Sequence, residues 1–151
     1  HIIETRIDLS SREEGVIVAV GGMTGGYTMF LKDNKLYYDY NFLDGVHYVL
    51  ESPSLPTGPT DLKFKFTLTQ PFGGFGELFV NGEKVDEIEM PQMHISTYSL
   101  AETFDVGRDT GTQVSSMYAD PFPFSGVIDQ VQISLQEDSV NPPREMPTQN
   151  Y

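Results

Sequence analysis

The chain has 151 residues but contains neither cysteine nor tryptophan. Without cysteine, the protein has no disulfide bond, no thiolate ligand for zinc and no cysteine nucleophile, so burial and hydrogen bonding must hold its fold. The absence of tryptophan removes a large indole ring on which sugars often stack, which disfavours a dedicated sugar-binding platform. Both absences narrow the function classes that the sequence allows.

Basic residues are also scarce: 9 lysines and arginines face 22 aspartates and glutamates, and the formal net charge is −13. The average field therefore repels phosphate backbones and anionic lipid headgroups, so we expect no nucleic-acid partner and no membrane-surface role. No apolar run approaches the roughly 20 residues that a membrane-spanning helix needs. We interpret the acidic residues first as a solvated surface that keeps the protein in solution, although clustered carboxylates also concentrate divalent cations.

Apolar and polar residues alternate with a period of two along much of the chain, whereas no apolar pattern keeps a helical period. The clearest example runs from Leu62 to Thr69, where leucine and phenylalanine alternate with lysine and threonine. One face of such a strand is core and the other is solvated. We therefore predict a single all-β domain over residues 1–135. Residues 136–151 contain three prolines among polar residues and are predicted to form an extended or mobile tail.

Two hairpins carry turn signals. Asn81-Gly82 lies between apolar runs, and this pair tolerates the positive φ angles of a type I′ turn. Asp33-Asn34 is flanked by aromatic stretches and predicts a second hairpin. Further strands are predicted at Ile2 to Leu9, Gly15 to Val20, Tyr27 to Leu31, His47 to Ser52 and Gly126 to Leu135. About nine or ten short strands favour a two-sheet antiparallel β-sandwich or jelly roll, although this spacing does not exclude an immunoglobulin-like sandwich or a barrel.

Two stretches carry patterns of a known family. The first, Glu102 to Leu135, has the pattern E-T-x-D-V-G-x-D-T-G-x-x-V-S followed by F-x-G-x-I-D-x-V. The second, Gly15 to Phe42, has the pattern G-V-x-V-A-x-G-G-x-x-G-G, then K-D-x-K and Y-N-F. Both resemble the C-terminal β-sandwich domain of bacterial arylsulfatases. The resemblance spans about Ile2 to Leu135 and implies the concanavalin A-like lectin and glucanase architecture, a jelly roll of two curved antiparallel sheets. It also implies a periplasmic or extracellular location.

The same resemblance implies an accessory role rather than catalysis. Sulfatases of that family form a catalytic formylglycine within a C/S-x-P-x-R motif. No serine of this chain has proline two positions on and arginine four positions on. We therefore expect no enzymatic activity from this chain alone, while its parent protein would be an arylsulfatase. The implied partner is a protein, either the sulfatase catalytic domain or another copy of this domain.

An aspartate-rich loop is a candidate calcium site. Asp105 and Asp109 lie four residues apart beside Thr110 and flexible glycines, and Ca²⁺ prefers such oxygen-rich loops. Alternation along the predicted closing strand would place Asp129 in line with apolar side chains, and a buried carboxylate needs a partner or a metal. Alternatively, a bulge could turn Asp129 outward, or Asp129 could cap backbone amides or pair with Arg108. We favour hydrogen-bonded anchoring of the loop over calcium.

A polar strand face is a candidate carbohydrate site. Alternation from Leu36 to Phe42 predicts one buried aromatic row and leaves Tyr37, Asp39 and Asn41 on the opposite face. These three residues could bind a glycan or form a protein interface, although an aromatic row on a strand is more often core. The alternative function is therefore a free-standing, lectin-like carbohydrate-binding module, with or without calcium.

Three further features of the sequence do not indicate a catalytic or metal site. His1, His47 and His94 fit no zinc-ligand spacing and are predicted as surface or turn residues. The chain contains no G-x-S-x-G elbow, so no motif supports Ser-His-Asp catalysis. The stretch from Pro121 to Phe124 is predicted to form a rigid aromatic bend that covers the sandwich edge.

Overall fold

The structure is a computed structural model. It describes residues 1–23, 25–42, 46–71, 73–91, 104–110, 112–119 and 121–134, so the predicted tail and Leu135 lie outside the described residues. Within these ranges there is no helix, and hence none that could cross a membrane. The same ranges form ten strands: β1 (Ile2–Asp8), β2 (Gly15–Gly22), β3 (Gly25–Lys32), β4 (Lys35–Phe42), β5 (Val46–Glu51), β6 (Pro59–Gln70), β7 (Gly73–Val80), β8 (Glu83–Met90), β9 (Phe104–Val106) and β10 (Val131–Ser134).

The strands form two five-stranded antiparallel sheets that pack face to face. The first sheet has the order β10-β1-β6-β7-β8, and the second has the order β5-β4-β3-β2-β9. The edge strands β5 and β8 lie next to each other, because Glu51 N donates to Asp86 Oδ2 at 2.9 Å. The prediction of an all-β, two-sheet antiparallel β-sandwich is confirmed.

The main core lies between the inner faces of the two sheets. Period-two alternation directs Ile3, Leu62 and Phe64 of the first sheet inward, where all three are fully buried. Met29 and Tyr38 of the second sheet belong to the same cluster, and the Tyr38 and Phe64 rings stack across the interface. Burying each such side chain contributes about 1.5–3 kcal/mol relative to exposure. This packing between sheets therefore takes the place of disulfides in holding the two layers together.

Both predicted hairpins form with the expected turns. Asp33 and Asn34 have φ angles of 50° and 59° between β3 and β4. Asn81 and Gly82 have φ angles of 50° and 79° between β7 and β8. Two positive φ angles in succession define the type I′ geometry, whose twist matches that of the flanking strands. The Asn81 side chain also accepts a hydrogen bond from Asp61 N at 2.9 Å, which ties the second turn to β6.

The predicted closing strand is wrong over its first half. Only Val131–Ser134 forms a strand, and residues 126–130 do not pair with β1. The hydroxyl of Thr5 donates to the carbonyl of Gln130 at 2.6 Å, where β1 and this part of the chain separate. Because alternation does not extend to residues 126–130, Asp129 is exposed rather than in line with the core.

A third layer covers the outer face of the second sheet. Residues 107–124, which we call the cover segment, follow β9 and pack over β2, β3 and β4. Backbone bonds fix both of its ends: Gly107 N donates to Ile17 O, and Val16 N donates to Phe122 O, each at 2.9 Å. Phe122 packs against Phe30 of β3. The predicted aromatic bend therefore covers a sheet face rather than the edge.

Candidate functional site

Three polar residues on the outer face of β4 form the centre of the candidate site. The predicted alternation of β4 is confirmed, because Tyr38 points into the main core while Tyr37, Asp39 and Asn41 point to the opposite face. The cover segment lies over this face, so Asp39 and Asn41 are only 1% and 3% exposed. Tyr37 is buried as well. In the folded protein these three side chains are therefore not an open platform for a glycan.

A small apolar cluster surrounds the polar residues. Phe30 of β3 stacks on Tyr37 with ring centroids 5.2 Å apart, and Tyr118 of the cover segment meets Phe30 edge-on at 5.0 Å. Val114 of the cover segment is buried in the same cluster. Such aromatic contacts contribute about 0.5–1.5 kcal/mol each beyond the area that they bury. This second core fixes the cover segment to the sheet and keeps water away from the polar groups beneath it.

Asn41 joins three parts of the chain. Its side-chain amide lies within hydrogen-bonding distance of the carbonyl oxygens of Gly22, Met23 and Val114, at 3.2, 3.0 and 3.2 Å. The two amide hydrogens are shared among these three acceptors. The contacts tie the end of β2 and the following turn to the cover segment. Asn41 therefore acts as a structural clamp.

Asp39 is a buried carboxylate with two side-chain partners. His47 of the edge strand β5 places its Nδ1 2.8 Å from Asp39 Oδ1, and the hydroxyl of Ser115 also hydrogen-bonds to the carboxylate. Burial raises the pKa of Asp39, and the bonds from Ser115 and His47 oppose that rise. The cluster is thus a protonatable link between β4, β5 and the cover segment.

The Ser115, Asp39 and His47 side chains do not have the geometry of a nucleophilic triad. In a triad, the serine hydroxyl bonds to the histidine and the aspartate orients the other ring nitrogen. Here both Ser115 and His47 bond to Asp39. Ser115 is fully buried, and its oxygen also accepts a hydrogen bond from Met117 N at 3.1 Å. This arrangement anchors the cover segment and does not expose an activated nucleophile.

The two loop aspartates of the predicted calcium site are bound to donors of their own loop. Asp105 Oδ2 accepts hydrogen bonds from the amide and hydroxyl of Thr110, at 2.9 and 2.6 Å. Asp109 is fully buried, and its Oδ2 accepts from Val114 N at 2.9 Å and from the hydroxyl of Tyr118 at 2.5 Å. Burial and the neighbouring Asp109 carboxylate raise the pKa of Tyr118, which keeps its donor proton in place.

Asp129, the third predicted calcium ligand, lies on another surface. It lines an open groove on the outside of the first sheet, beside Glu4, Arg6 and Asp8 of β1. In the described part of the chain, no group of three or more histidine or acidic side chains is arranged to hold a metal ion. Asp105, Asp109 and Asp129 therefore do not converge, and the loop bonds match the anchoring interpretation.

Several residues of the buried network, by which we mean the hydrogen bonds around Asp39 and Asp109, were not predicted from the sequence. Tyr118, Ser115 and Thr28 gave no motif, although Tyr118 Oη lies 3.1 Å from Thr28 Oγ1 and Ser115 bonds to Asp39. His47 was expected at the surface, yet its ring bonds to a buried carboxylate. One signal was available. Thr28 and Asp39 are directly opposite each other on β3 and β4, and side chains at such positions interact, so two polar groups were to be expected together on that face. Nothing local indicated that a segment some 75 to 90 residues later would cover it.

No protein-family model matches the chain, and no curated protein matches it.

Proposed function

We propose that the chain is a non-catalytic accessory β-sandwich domain that packs against or supports a sulfatase catalytic domain. The observation that carries this proposal is the use of its reactive side chains as internal links. Asp39, Asp109 and Ser115 are buried, and each holds the cover segment in place. A catalytic group must reach its substrate, whereas these groups are enclosed by their own chain. Their placement supports a structural domain.

The choice of partner rests on the two stretches that resemble arylsulfatase C-terminal domains. Glu102 to Leu135 contains β9, the whole cover segment and β10, and Gly15 to Phe42 contains the strands beneath that segment. In the structure the two stretches pack on each other through Val16, Phe30 and Tyr118. The resemblance thus falls on parts that form one structural unit. This supports the inference that the two stretches have the same structural role here as in the arylsulfatase C-terminal domains.

The experiment compares the domain alone with the domain in its natural polypeptide. The reading frame on both sides is sequenced first, and we expect a sulfatase domain in it. Hydrogen exchange is then measured on the intact protein and on the isolated domain. Extra protection of a continuous surface in the intact protein is expected, because docking shields backbone amides. Identical exchange in both, or hydrolysis of an aryl sulfate by the isolated domain, would contradict the proposal.

One observation favours a second candidate function, a lectin-like module. The groove on the first sheet, about 770 Å³ in volume, is lined by donors and acceptors that suit a hydroxyl-rich ligand, including Arg6, Asp61, Asp129 and Gln130. A glycan-binding screen with and without chelator tests it. Binding that Arg6→Ala abolishes, and that the distant control Lys84→Ala leaves intact, would favour the module. Absence of binding would leave the accessory role.

A further inference from the structure

In the described part of the chain, the edge strand β5 presents backbone groups that pair with no other strand. In its pairing with β4, Ser52 N donates to Leu36 O, so alternate amides before Ser52 also point toward β4. The N–H and C=O groups of His47 and Val49 therefore point away from the sheet. Among the described strands, β5 pairs only with β4. A short row of donors and acceptors thus faces outward along His47 to Val49.

The other three edges of the sandwich are better protected against strand pairing. The exposed edge of β8 is rich in charge and has a bulge at Val85, where its register with β7 shifts. Within the described residues, strands β9 and β10 span three and four residues. Short edges, bulges and charges all discourage pairing between molecules. By contrast, β5 has a continuous register, no proline, and no lysine.

The same strand exposes apolar side chains. Val46 and Val49 are 40% and 37% exposed, on a strand whose single acidic residue, Glu51, is at its end. Glu51 N is already used, because it donates to Asp86 Oδ2 of β8. Asp86 therefore marks where pairing along the edge must stop. The available stretch runs from Val46 to Leu50.

We propose that β5 binds β5 of a second copy of this chain, antiparallel, with Tyr48 opposite the partner's Tyr48. In this register His47 lies opposite the partner's Val49, and the two positions exchange both of their outward N–H···O bonds on each side of the two-fold axis. The outward groups of His47 and Val49 are thereby satisfied, and the bond between Glu51 and Asp86 stays intact. Val46 also comes to lie opposite the partner's Leu50, which covers its exposed side chain. The two second sheets then form one continuous sheet.

Self-complementarity is the reason for choosing a second copy over another extended peptide. A two-fold axis at Tyr48 places each outward N–H group of His47 and Val49 opposite an outward C=O group of the partner strand. A two-fold interface requires this match, because the same surface lies on both sides. Electrostatics oppose the pairing, since each chain carries a net charge of −13 and the acidic β8 adjoins β5. Added salt screens that repulsion. The dimer should therefore tighten as salt increases.

Sedimentation velocity over a wide range of protein concentration tests the proposal. The expected result is a reversible change from 16.9 kDa to twice that mass, at lower concentration in higher salt. Val49→Lys places a charge within the paired edge and should raise the dissociation constant by about tenfold or more. Val106→Lys is the matched control, because Val106 is also an exposed valine, on the edge strand β9. It should leave the dissociation constant unchanged.

Hydrogen exchange on the unmodified protein gives an independent readout should Val49→Lys fail to fold. The amides of His47 and Val49 should become protected as the dimer forms, whereas those of Tyr48 and Leu50 should be protected throughout. A monomer at every concentration and salt level would overturn the proposal. So would a dimer that Val49→Lys leaves intact, or in which the His47 and Val49 amides exchange freely. The accessory role does not depend on this pairing, so either result leaves it standing.

Discussion

Asp39 has a carboxylate that folding transfers from water to an enclosed site. Burial raises its pKa, so the folded protein holds this proton up to a higher pH than the unfolded chain does. The contribution of the Asp39 carboxyl group to the free energy of unfolding is therefore fully present below the carboxyl pKa of the unfolded chain, about 4. That contribution is lost as the pH rises through the raised pKa of folded Asp39.

Replacing this carboxyl should remove that pH dependence. Asp39→Asn keeps an oxygen that can accept from Ser115 or His47 but has no charge to bury, so its stability should fall less than that of the unmodified protein between about pH 4 and neutrality. Each unit by which burial raises the pKa corresponds to about 1.4 kcal/mol at neutral pH. Urea unfolding across this range measures the effect. Asp61→Asn, at a largely exposed position, is the control, and equal slopes for both variants would contradict the prediction.

Tyr118 supplies a donor to a second buried carboxylate. Tyr118→Phe removes the hydroxyl that donates to Asp109 Oδ2 but keeps the ring that packs on Phe30. Loss of a hydrogen bond to a buried charged group should lower the free energy of unfolding by about 1.5–3 kcal/mol. Tyr37→Phe is the control, because its hydroxyl is 3.4 Å from an exposed glutamate. Chemical denaturation that finds the two variants equally stable would count against the buried network.

At the scale of elements, Gly82 and Gly26 illustrate two different reasons for a glycine. One is a positive φ angle alone, and the other is a positive φ angle together with close contact between two strands. Gly82 has a φ of 79° in the β7–β8 turn, with open space where a Cβ would be. Gly26 also has a positive φ, but a Cβ there would lie 1.9 Å from the carbonyl oxygen of Val20 in β2. Gly82→Ala should therefore cost about 1 kcal/mol. Gly26→Ala must also separate β2 from β3, so it should destabilise the protein considerably more.

Thermal unfolding of the two glycine variants checks this ordering. An equal decrease of the unfolding temperature in both variants would contradict the prediction, because it would mean that the close contact between β2 and β3 adds no further cost. Circular dichroism of Gly26→Ala should also show loss of strand signal below the unfolding temperature, since this pair lies in the middle of the second sheet.

The strands and turns were predictable because their determinants are local. Alternation from Leu62 to Thr69 and the turn at Asn81-Gly82 both appear in the structure, with β6 extending slightly further at each end. The failure at Asp129 has a physical cause. Alternation indicates a face only while a strand keeps its partner, and the pairing of β1 with β10 ends at Thr5 and Val131. Where that pairing ended could not be read from the pattern.

The location of the candidate site was harder to predict than its residues. Tyr37, Asp39 and Asn41 were placed on the correct face of β4, but their burial depends on an irregular segment that begins more than 60 residues later. Contacts between distant parts of a chain leave no periodic signal in the sequence. The same limit applies to Asp105 and Asp109. Their spacing indicated an oxygen-rich loop and could not show that its donors were internal.

For the molecule as a whole, we expect calcium to have no effect on stability. A ligand that binds only the folded state raises the unfolding midpoint. In the structure Asp105 and Asp109 already accept hydrogen bonds from Thr110, Val114 and Tyr118. The unfolding midpoint in saturating Ca²⁺ should therefore equal that in chelator. A midpoint that rises with Ca²⁺, and does not rise in an Asp105→Asn variant, would restore the metal site.

The position of the cover segment in the chain also determines when the fold can be completed during synthesis. A ribosome produces β1 to β8 first, and the residues that shield Phe30 and Tyr37 follow only after residue 106. Until then, the outer face of the second sheet exposes the aromatic rings of Phe30 and Tyr37 and the polar side chains of Asp39 and Asn41. A nascent chain stalled before this point would therefore expose apolar surface and be prone to aggregate until the cover segment is translated.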